Sequence, residues 1–335
     1  MKHLVAILAL PVLAVLALTA GSPAQGTQKV VFALNWFAVG DHAAYWVALD
    51  KGYYKARGLE VELQNSKGSG DSIAKVDTGR ADIGLADAVV VIPRVAQGAR
   101  IKIVGAVFDN TPLNIWTRKD TGITKPKDLE GKTLAAPAGD SQRQLFPAFA
   151  KINGIDESKV KWLSIEPAAK FVALSEKRAD AVPDYTTGQP FWEKAVGKDN
   201  LVRMPWSEYG FDTYSMSIFA SDRTLNERGT MLRDFLAASY MGWRDVMHDP
   251  RAALEIFKKR VPEIDLALIE PNMMLGLELM RTERYAKHGV GWMDHGKMCR
   301  TVEFINTYMP NMPRTVGCDE VFTNEFLTKI ELPKR

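Results

Sequence analysis

The chain has 335 residues, 46% of them hydrophobic and 25% charged, with 43 Lys and Arg against 40 Asp and Glu. This is an ordinary globular composition, and a formal net charge of +3 without any Lys/Arg-rich block gives no electrostatic footprint for nucleic acid. A mature length of roughly 310 residues exceeds what one core usually organises and favours two lobes.

Basic Lys2 and His3 precede the apolar run Leu4–Leu18, and small residues then offer cleavage after Ala24 with Ser22 at the minus-three position. Residues 1–24 are therefore expected to be a secretory signal peptide, removed on export to a periplasm. The apolar run falls short of the ~20 residues a spanning helix needs. No Cys stands directly after it, so no lipid anchor is expected.

Lys29–Asn35 reads as a buried first strand, left by the loop Trp36–Gly40 and followed by a helix that Asp41 can cap. Gly58 closes a turn before Leu59, Val61 and Leu63 alternate with Glu60 and Glu62 as a second strand. Gly68-Ser69-Gly70 then leads into a helix ended by Gly79, and Arg80-Ala81-Asp82 enters the strand Ile83-Gly84-Leu85. These glycines match neither dinucleotide nor Walker fingerprints. A helix to Gln97 and strands Ile101–Phe108 and Leu113–Trp116 complete the first part of lobe one, residues 28–117. The turn-rich stretch Lys119–Pro126 places the first crossing near residue 118.

Lobe two is expected over residues 118–211 and repeats the pattern: strand Thr133–Ala136, a helix capped by Asp140 or Ser141, strand Val160–Ile165, a helix around Ala168–Glu176, then Arg178-Ala179-Asp180 into strand Ala179–Val182. Trp206–Phe211 reads as the return crossing. Residues 212–335 then rejoin lobe one through Thr213–Ala220 and continue as helices on its outside. Cys299 and Cys318 are the only cysteines, and in an oxidising compartment they are expected to form a disulfide. His295 lies one turn before Cys299, but no second ligand pair stands at zinc spacing, so no metal is expected.

Two tandem β/α cassettes, each carrying Arg-Ala-Asp, are the layout of a ligand clamp: an α/β fold whose lobes are mixed sheets flanked by helices and joined by a hinge of two crossovers. Ligands of such sheets bind beyond the carboxyl ends of the strands. The residues expected to bind ligand are Asn35, Trp36, His42, Tyr45, Asp87, Asn110, Ser141, Gln142, Asp184, Tyr185 and Tyr214. Aromatic rings with amide and carboxylate groups suit a planar, polar-edged ligand. Arg143 is the main basic candidate. Trp36 stands out, since it directly follows a strand. The first lobe is expected to bind through Trp36, Asn35 and the Asp87 loop, and the second to close with Ser141, Asp184 and Tyr185.

Asn35-Trp36, His42-Ala43-Ala44-Tyr45, Ala48-Leu49-Asp50-Lys51-Gly52-Tyr53-Tyr54 and Gly58-Leu59-Glu60-Val61 resemble the opening of ABC-importer substrate-binding proteins for thiamine pyrimidine precursors. Gly79–Gly84, Asp128–Lys132 and Tyr209–Tyr214 extend the resemblance over most of the mature chain. It implies a two-lobed type II periplasmic binding protein that hands a small molecule to an ABC permease and its ATPase, a monomer without cofactor or catalysis. In that family the Trp matching Trp36 stacks on the pyrimidine. Between Trp36 and His42 the chain reads Phe37-Ala38-Val39-Gly40-Asp41 where the family carries a Pro-Asn pair. The wider superfamily also takes sulfonates, nitrate and taurine, so an anion-binding protein is one alternative and a sensory binding module another. The fold is shared with a fungal pyrimidine synthase whose histidine His42 matches in spacing. That enzyme carries a cysteine-rich cluster absent here.

Overall fold

The structure, a computed structural model, describes residues 26–331, so the expected signal peptide lies outside the described residues. Among the described residues ten strands are present: β1 (Gln28–Ala33), β2 (Leu59–Gln64), β3 (Ile83–Asp87), β4 (Ile101–Ala106), β5 (Leu113–Arg118), β6 (Thr133–Ala136), β7 (Lys161–Ser164), β8 (Ala181–Tyr185), β9 (Leu201–Pro205) and β10 (Met216–Ser221). They form two five-stranded mixed sheets, ordered β2-β1-β3-β10-β4 and β7-β6-β8-β5-β9. The two orders correspond position by position. In each, one strand runs antiparallel to its neighbours, β10 in the first and β5 in the second, and each is the strand that arrives from the other lobe.

The chain therefore crosses between β4 and β5, at Val107–Pro112, and returns at Trp206–Ser215. The crossing expected near residue 118 is corrected by this topology, since β5 pairs with β8 and β9 and belongs to the second lobe. Every residue of β5 is buried, as a strand flanked on both sides must be. The polar turns after it mark an ordinary connection within lobe two.

The repeated Arg-Ala-Asp has the same structural task in both lobes. Asp82 Oδ2 accepts from Val31 N at 2.8 Å and Asp82 N donates to Val31 O at 2.9 Å. Asp180 Oδ2 accepts from Thr133 N at 2.8 Å and Asp180 N donates to Thr133 O at 2.8 Å. Each aspartate thus satisfies both polar groups of one residue in the opening strand of its cassette, β1 or β6, and sets the entry of β3 or β8 beside it.

Phe32 of β1 meets both Tyr45 of the helix Ala43–Asp50 and Phe235 of the long helix Gly229–His248, with ring centroids 4.9 and 5.0 Å apart, and the two helices pack on one another. Gly242 permits that approach, because a Cβ there would fall 2.2 Å from Ala44 O. Two C-terminal helices do not stay on lobe one as expected. Leu266–Met280 lies between Gly40–His42 and the lobe-two helix Gln189–Val196, and His295–Tyr308 touches both Ala88–Ala96 and Ser141–Asn153. Each has apolar residues to bury against both lobes, so they strap the two together.

Cys299 and Cys318 are joined in a disulfide, 19 residues apart, which ties the helix His295–Tyr308 to the segment whose Phe322 bridges to Ile103 of β4. His295 Nδ1 stands 3.4 Å from Cys299 Sγ. A closed loop of that length stabilises by about 3 kcal/mol in the chain-entropy model. Replacing both cysteines with serine is expected to lower the melting temperature by several degrees while leaving ligand affinity unchanged; a loss of affinity with no loss of stability would refute this, and calorimetry with titration reads both.

Candidate ligand-binding cleft

Four parallel strands deliver their carboxyl ends to one crevice: β1 brings Asn35 and Trp36, β3 Asp87, β6 Asp140 and Ser141, and β8 Asp184 and Tyr185. Between them lies a cavity of about 60 Å³. Of the residues expected to bind ligand, Asn35, Trp36, His42, Ser141, Gln142, Asp184 and Tyr185 line it together.

Asp87 stands just behind the wall. It is fully buried and accepts from Tyr185 Oη at 2.8 Å and from the Ser215 hydroxyl. Its own N–H donates to Ser69 Oγ at 2.9 Å, and Ser69 in turn accepts from Ser141 Oγ at 2.7 Å. Burial raises the Asp87 carboxyl above its ordinary range, and the hydroxyls around it work the other way.

Three expected residues are elsewhere. Tyr45 sits one turn into the helix Ala43–Asp50, wholly buried, edge-on to Phe32 with ring centroids 4.9 Å apart. Asn110 is turned toward the C-terminal segments, its Oδ1 accepting from Arg284 Nη2 at 3.1 Å and Lys297 Nζ at 2.7 Å. Tyr214 lies beneath the same segments, its hydroxyl accepting from Asp294 N at 2.8 Å. In each case the residue's place along its element carries the side chain past the cleft.

His42 is buried, and its Nε2 donates to Asn35 Oδ1 at 2.9 Å, while Asn35 Nδ2 donates to Tyr185 Oη at 3.3 Å. Burial pulls the imidazole down to about 3, against the opposing effect of the Phe37 backbone, so His42 is neutral at physiological pH. Asp41 Oδ2 accepts from Thr187 Oγ1 at 2.7 Å across the cleft, and burial pushes its carboxyl up to about 7. Asn272, from the strapping helix, donates to Thr187 O at 2.9 Å and accepts from Gly40 N at 2.7 Å, so one side chain holds both lobes.

The basic residue of the cleft is Lys170, not Arg143. Arg143 Nη1 donates to Ala136 O at 2.7 Å and Ser164 Oγ at 2.9 Å, on the far side of its helix. Lys170 is buried, paired with Asp140 Oδ2 at 3.0 Å, and its ammonium lies 4.8 Å from the centroid of the Trp36 ring. Asp140 uses its other oxygen to cap the helix Ser141–Asn153, accepting from Gln142 N at 3.0 Å and Arg143 N at 3.2 Å. Phe171, Phe191, Gly188 and Asn272 also line the cavity and were not foreseen. A signal for Lys170 and Phe171 existed in the repeat, since they open the helix after β7 as Gly68–Ser72 open the helix after β2.

The profile of the family described as NMT1/THI5 like matches residues 39–253, more than half the chain. The riboflavin-binding protein RibY of Chloroflexus aurantiacus is 25% identical over 309 residues, covering 90% of this chain and 86% of RibY. The formylaminopyrimidine-binding protein of Halalkalibacterium halodurans is 24% identical over 251 residues, covering 73% of this chain and 74% of its own. Among solved structures, the alkanesulfonate-binding protein SsuA from Xanthomonas axonopodis pv. citri superposes with a TM-score of 0.66 at 13% identity, covering 92% of this chain and 100% of SsuA. The architecture is that of the two-lobed periplasmic binding proteins, and the chain belongs to the NMT1/THI5-like family.

Proposed function

We propose that this chain is the exported solute-binding component of an ABC importer, a periplasmic monomer that captures a small planar heteroaromatic or aromatic molecule between its lobes and delivers it to a permease driven by an ATPase. The observation that carries this reading is the position of Trp36: its half-buried ring stands at the carboxyl end of β1, in the cavity wall, ringed by polar groups from both lobes. A planar ring stacked there gains about 0.5–1.5 kcal/mol beyond its area burial. Riboflavin and formylaminopyrimidine, named for the two relatives, are both planar nitrogen heterocycles. A cavity of about 60 Å³ is smaller than the ~150 Å³ that takes one benzene ring, so even a single ring needs the wall to give way, and a three-ring flavin needs the lobes to stand further apart.

Capture rests on hinge closure. Tyr185 meets Asn35 and Asp87, Ser141 meets Ser69, Thr187 meets Asp41, and Gly70 N donates to Gly139 O at 3.0 Å. All of these run between lobes, so they form only when the lobes meet. Binding, not catalysis, is the reading of His42, whose Nε2 is spent on Asn35 and whose ring stays neutral.

Trp36→Ala is expected to weaken the binding of a planar ligand about 10- to 100-fold, from lost stacking and lost burial together; unchanged affinity by titration calorimetry would place the site elsewhere. Gly139→Val is expected to wedge the lobes, because a Cβ at Gly139 already lies 3.2 Å from Lys67 O. Small-angle scattering with ligand should then show a larger radius of gyration than the wild type, and equal radii would show that closure does not use this contact.

A third expectation concerns pH. The folded chain holds the Asp41 proton more tightly than the unfolded chain, so the stability this contributes is whole below 3.8, falls as pH rises and is lost above about 7. His42 acts in the opposite sense over part of that range. Asp41→Asn isolates the carboxyl. The melting temperature of the wild type relative to this variant should be highest at pH 4 or below, decline steadily as pH rises and level off above about 7; a relative stability that rises with pH would reverse the assignment.

A further inference from the structure

The disulfide joins two segments, and each brings one more metal-ligating side chain to it. On the helix His295–Tyr308, His295 and Cys299 stand four residues apart and so share one face. On the other segment Asp319 follows Cys318 directly. His295 Nδ1 and Nε2 lie 3.4 and 3.7 Å from Cys299 Sγ. One nitrogen of His295 and the two sulfurs all lie within 4.8 Å of one another. Asp319 Oδ1 stands 3.2 Å from His295 Nε2, while Lys102 Nζ donates to Asp319 O at 2.9 Å and leaves that carboxylate to the histidine. Chain order alone offered His295 and Cys299 no second pair; the fold supplies it in Cys318 and Asp319.

Two sulfurs and an imidazole are the donor set that zinc prefers, and the spacing agrees. Around one tetrahedral zinc, with Zn–S about 2.3 Å and Zn–N about 2.0 Å, neighbouring ligand atoms stand about 3.5–3.8 Å apart. Sulfurs released from their bond reach that separation by turning two side chains, and the imidazole is already there. A zinc-bound imidazole ordinarily gives its other nitrogen to a carboxylate, which fixes the tautomer and raises the basicity of the ligand. Asp319 holds Nε2 in this way and leaves Nδ1 for the metal. The His295 side chain is 68% exposed and both cysteines are half-buried, so the ring can turn to aim Nδ1, and a reductant and an ion can both reach the sulfurs. Three protein ligands leave a fourth position for water.

We propose that the Cys299–Cys318 pair has a second form: once the disulfide is reduced, His295 Nδ1, Cys299 Sγ and Cys318 Sγ bind one zinc ion, with Asp319 as the outer hydrogen-bond partner of the histidine. Reduction proceeds by exchange with a dithiol, whose thiolate attacks one sulfur to form a mixed disulfide. Its second thiolate then displaces that cysteine, so the dithiol leaves as a disulfide and the chain gains two electrons and two protons. Zinc displaces the two thiol protons, and Zn²⁺ with two thiolates and a neutral imidazole carries no net charge. The metal thereby keeps the helix His295–Tyr308 tied to the segment that bridges to Ile103 after the covalent tie is gone.

The test titrates the mature protein with zinc, and in parallel with cobalt(II), after reduction by a phosphine, which ends as its oxide with oxygen taken from water. One zinc per chain is expected, bound at least about 100-fold more tightly than by the oxidised protein. Cobalt should show a thiolate-to-metal charge-transfer band, and zinc should raise the melting temperature of the reduced chain by a few degrees. His295→Ala keeps the disulfide, so its folding is checked in the oxidised form, and after reduction it should bind zinc about 10- to 100-fold more weakly; Asp319→Asn should lose about tenfold. Zinc that binds the oxidised protein, or the variant carrying both Cys299→Ser and Cys318→Ser, as tightly as the reduced wild type overturns the proposal, as does an affinity that His295→Ala leaves unmoved. If reduction alone unfolds the chain, zinc must restore the circular dichroism of the folded form, and a chain that stays unfolded with zinc overturns the site. None of these outcomes depends on what the cleft binds.

Discussion

One buried carboxylate organises the contact between the lobes. Asp87 ends β3, and its oxygens and N–H engage Tyr185 from β8, Ser215 from the return crossing and Ser69 from the helix after β2, with Ser141 one bond further. Five separate segments meet in this chain of hydrogen bonds, in a setting where an unmatched polar group costs about 1–3 kcal/mol. The network is satisfied only with the lobes together, because two of its members, Tyr185 and Ser141, come from the second lobe. Closure is thereby made a discrete state, and the position of the cavity wall follows from it: Asn35 and His42 are fixed through Tyr185, and Trp36 follows Asn35 in sequence.

The hinge obeys a complementary logic. Asp109, in the first crossing, accepts from Thr282 Oγ1 at 2.8 Å and Arg284 Nε at 2.7 Å. Arg284 and Lys297 share the side-chain oxygen Oδ1 of Asn110, and Lys297 stands 3.4 Å from Asp212 Oδ1 in the return crossing. The two crossings are thus fastened to one another by cations from the C-terminal segments. Groups near a rotation axis move least, so these contacts can persist while the cleft contacts make and break. Asn110 and Tyr214 are held among these crossover contacts, away from the cavity wall.

The helices Leu266–Met280 and His295–Tyr308 touch both lobes, so part of the apolar surface between the lobes is buried whenever they approach. Hydrophobic burial is non-directional and tolerates small rotations, whereas hydrogen bonds such as Asn272 to Thr187 and Tyr185 to Asp87 do not. The first contributes to holding the lobes near one another, and the second defines a single geometry among the near ones. Directional bonds of the second kind are the ones able to distinguish closed from nearly closed.

What could be read from the amino-acid order was the part set by periodicity and by the repeat. Two strand-helix cassettes with Arg-Ala-Asp at matching places imply two similar sheets, and the motif's aspartates proved to pin the first strand in each. Trp36 was legible because a bulky ring immediately after a parallel strand must leave the sheet at its carboxyl end. Depth along an element was not legible: Tyr45 has the right chemistry one turn too far into its helix, and only the packing of Phe32 and Trp243 around it reveals that. The C-terminal boundary of lobe one was missed for a similar reason, since β5 reads equally well as an edge strand of one sheet or an inner strand of the other until its partners are known. Lys170 was hidden most thoroughly. In Ala168-Ala169-Lys170-Phe171 a lysine opening a short helix is ordinarily solvated; it is buried here because Asp140, a helix cap thirty residues earlier, supplies its counter-charge. A cap is satisfied by backbone N–H groups with one oxygen, and the second oxygen is free to recruit a cation that local sequence cannot foresee. That second oxygen brings an ammonium into the cavity wall beside Trp36 through a long-range pairing between two residues that each look local.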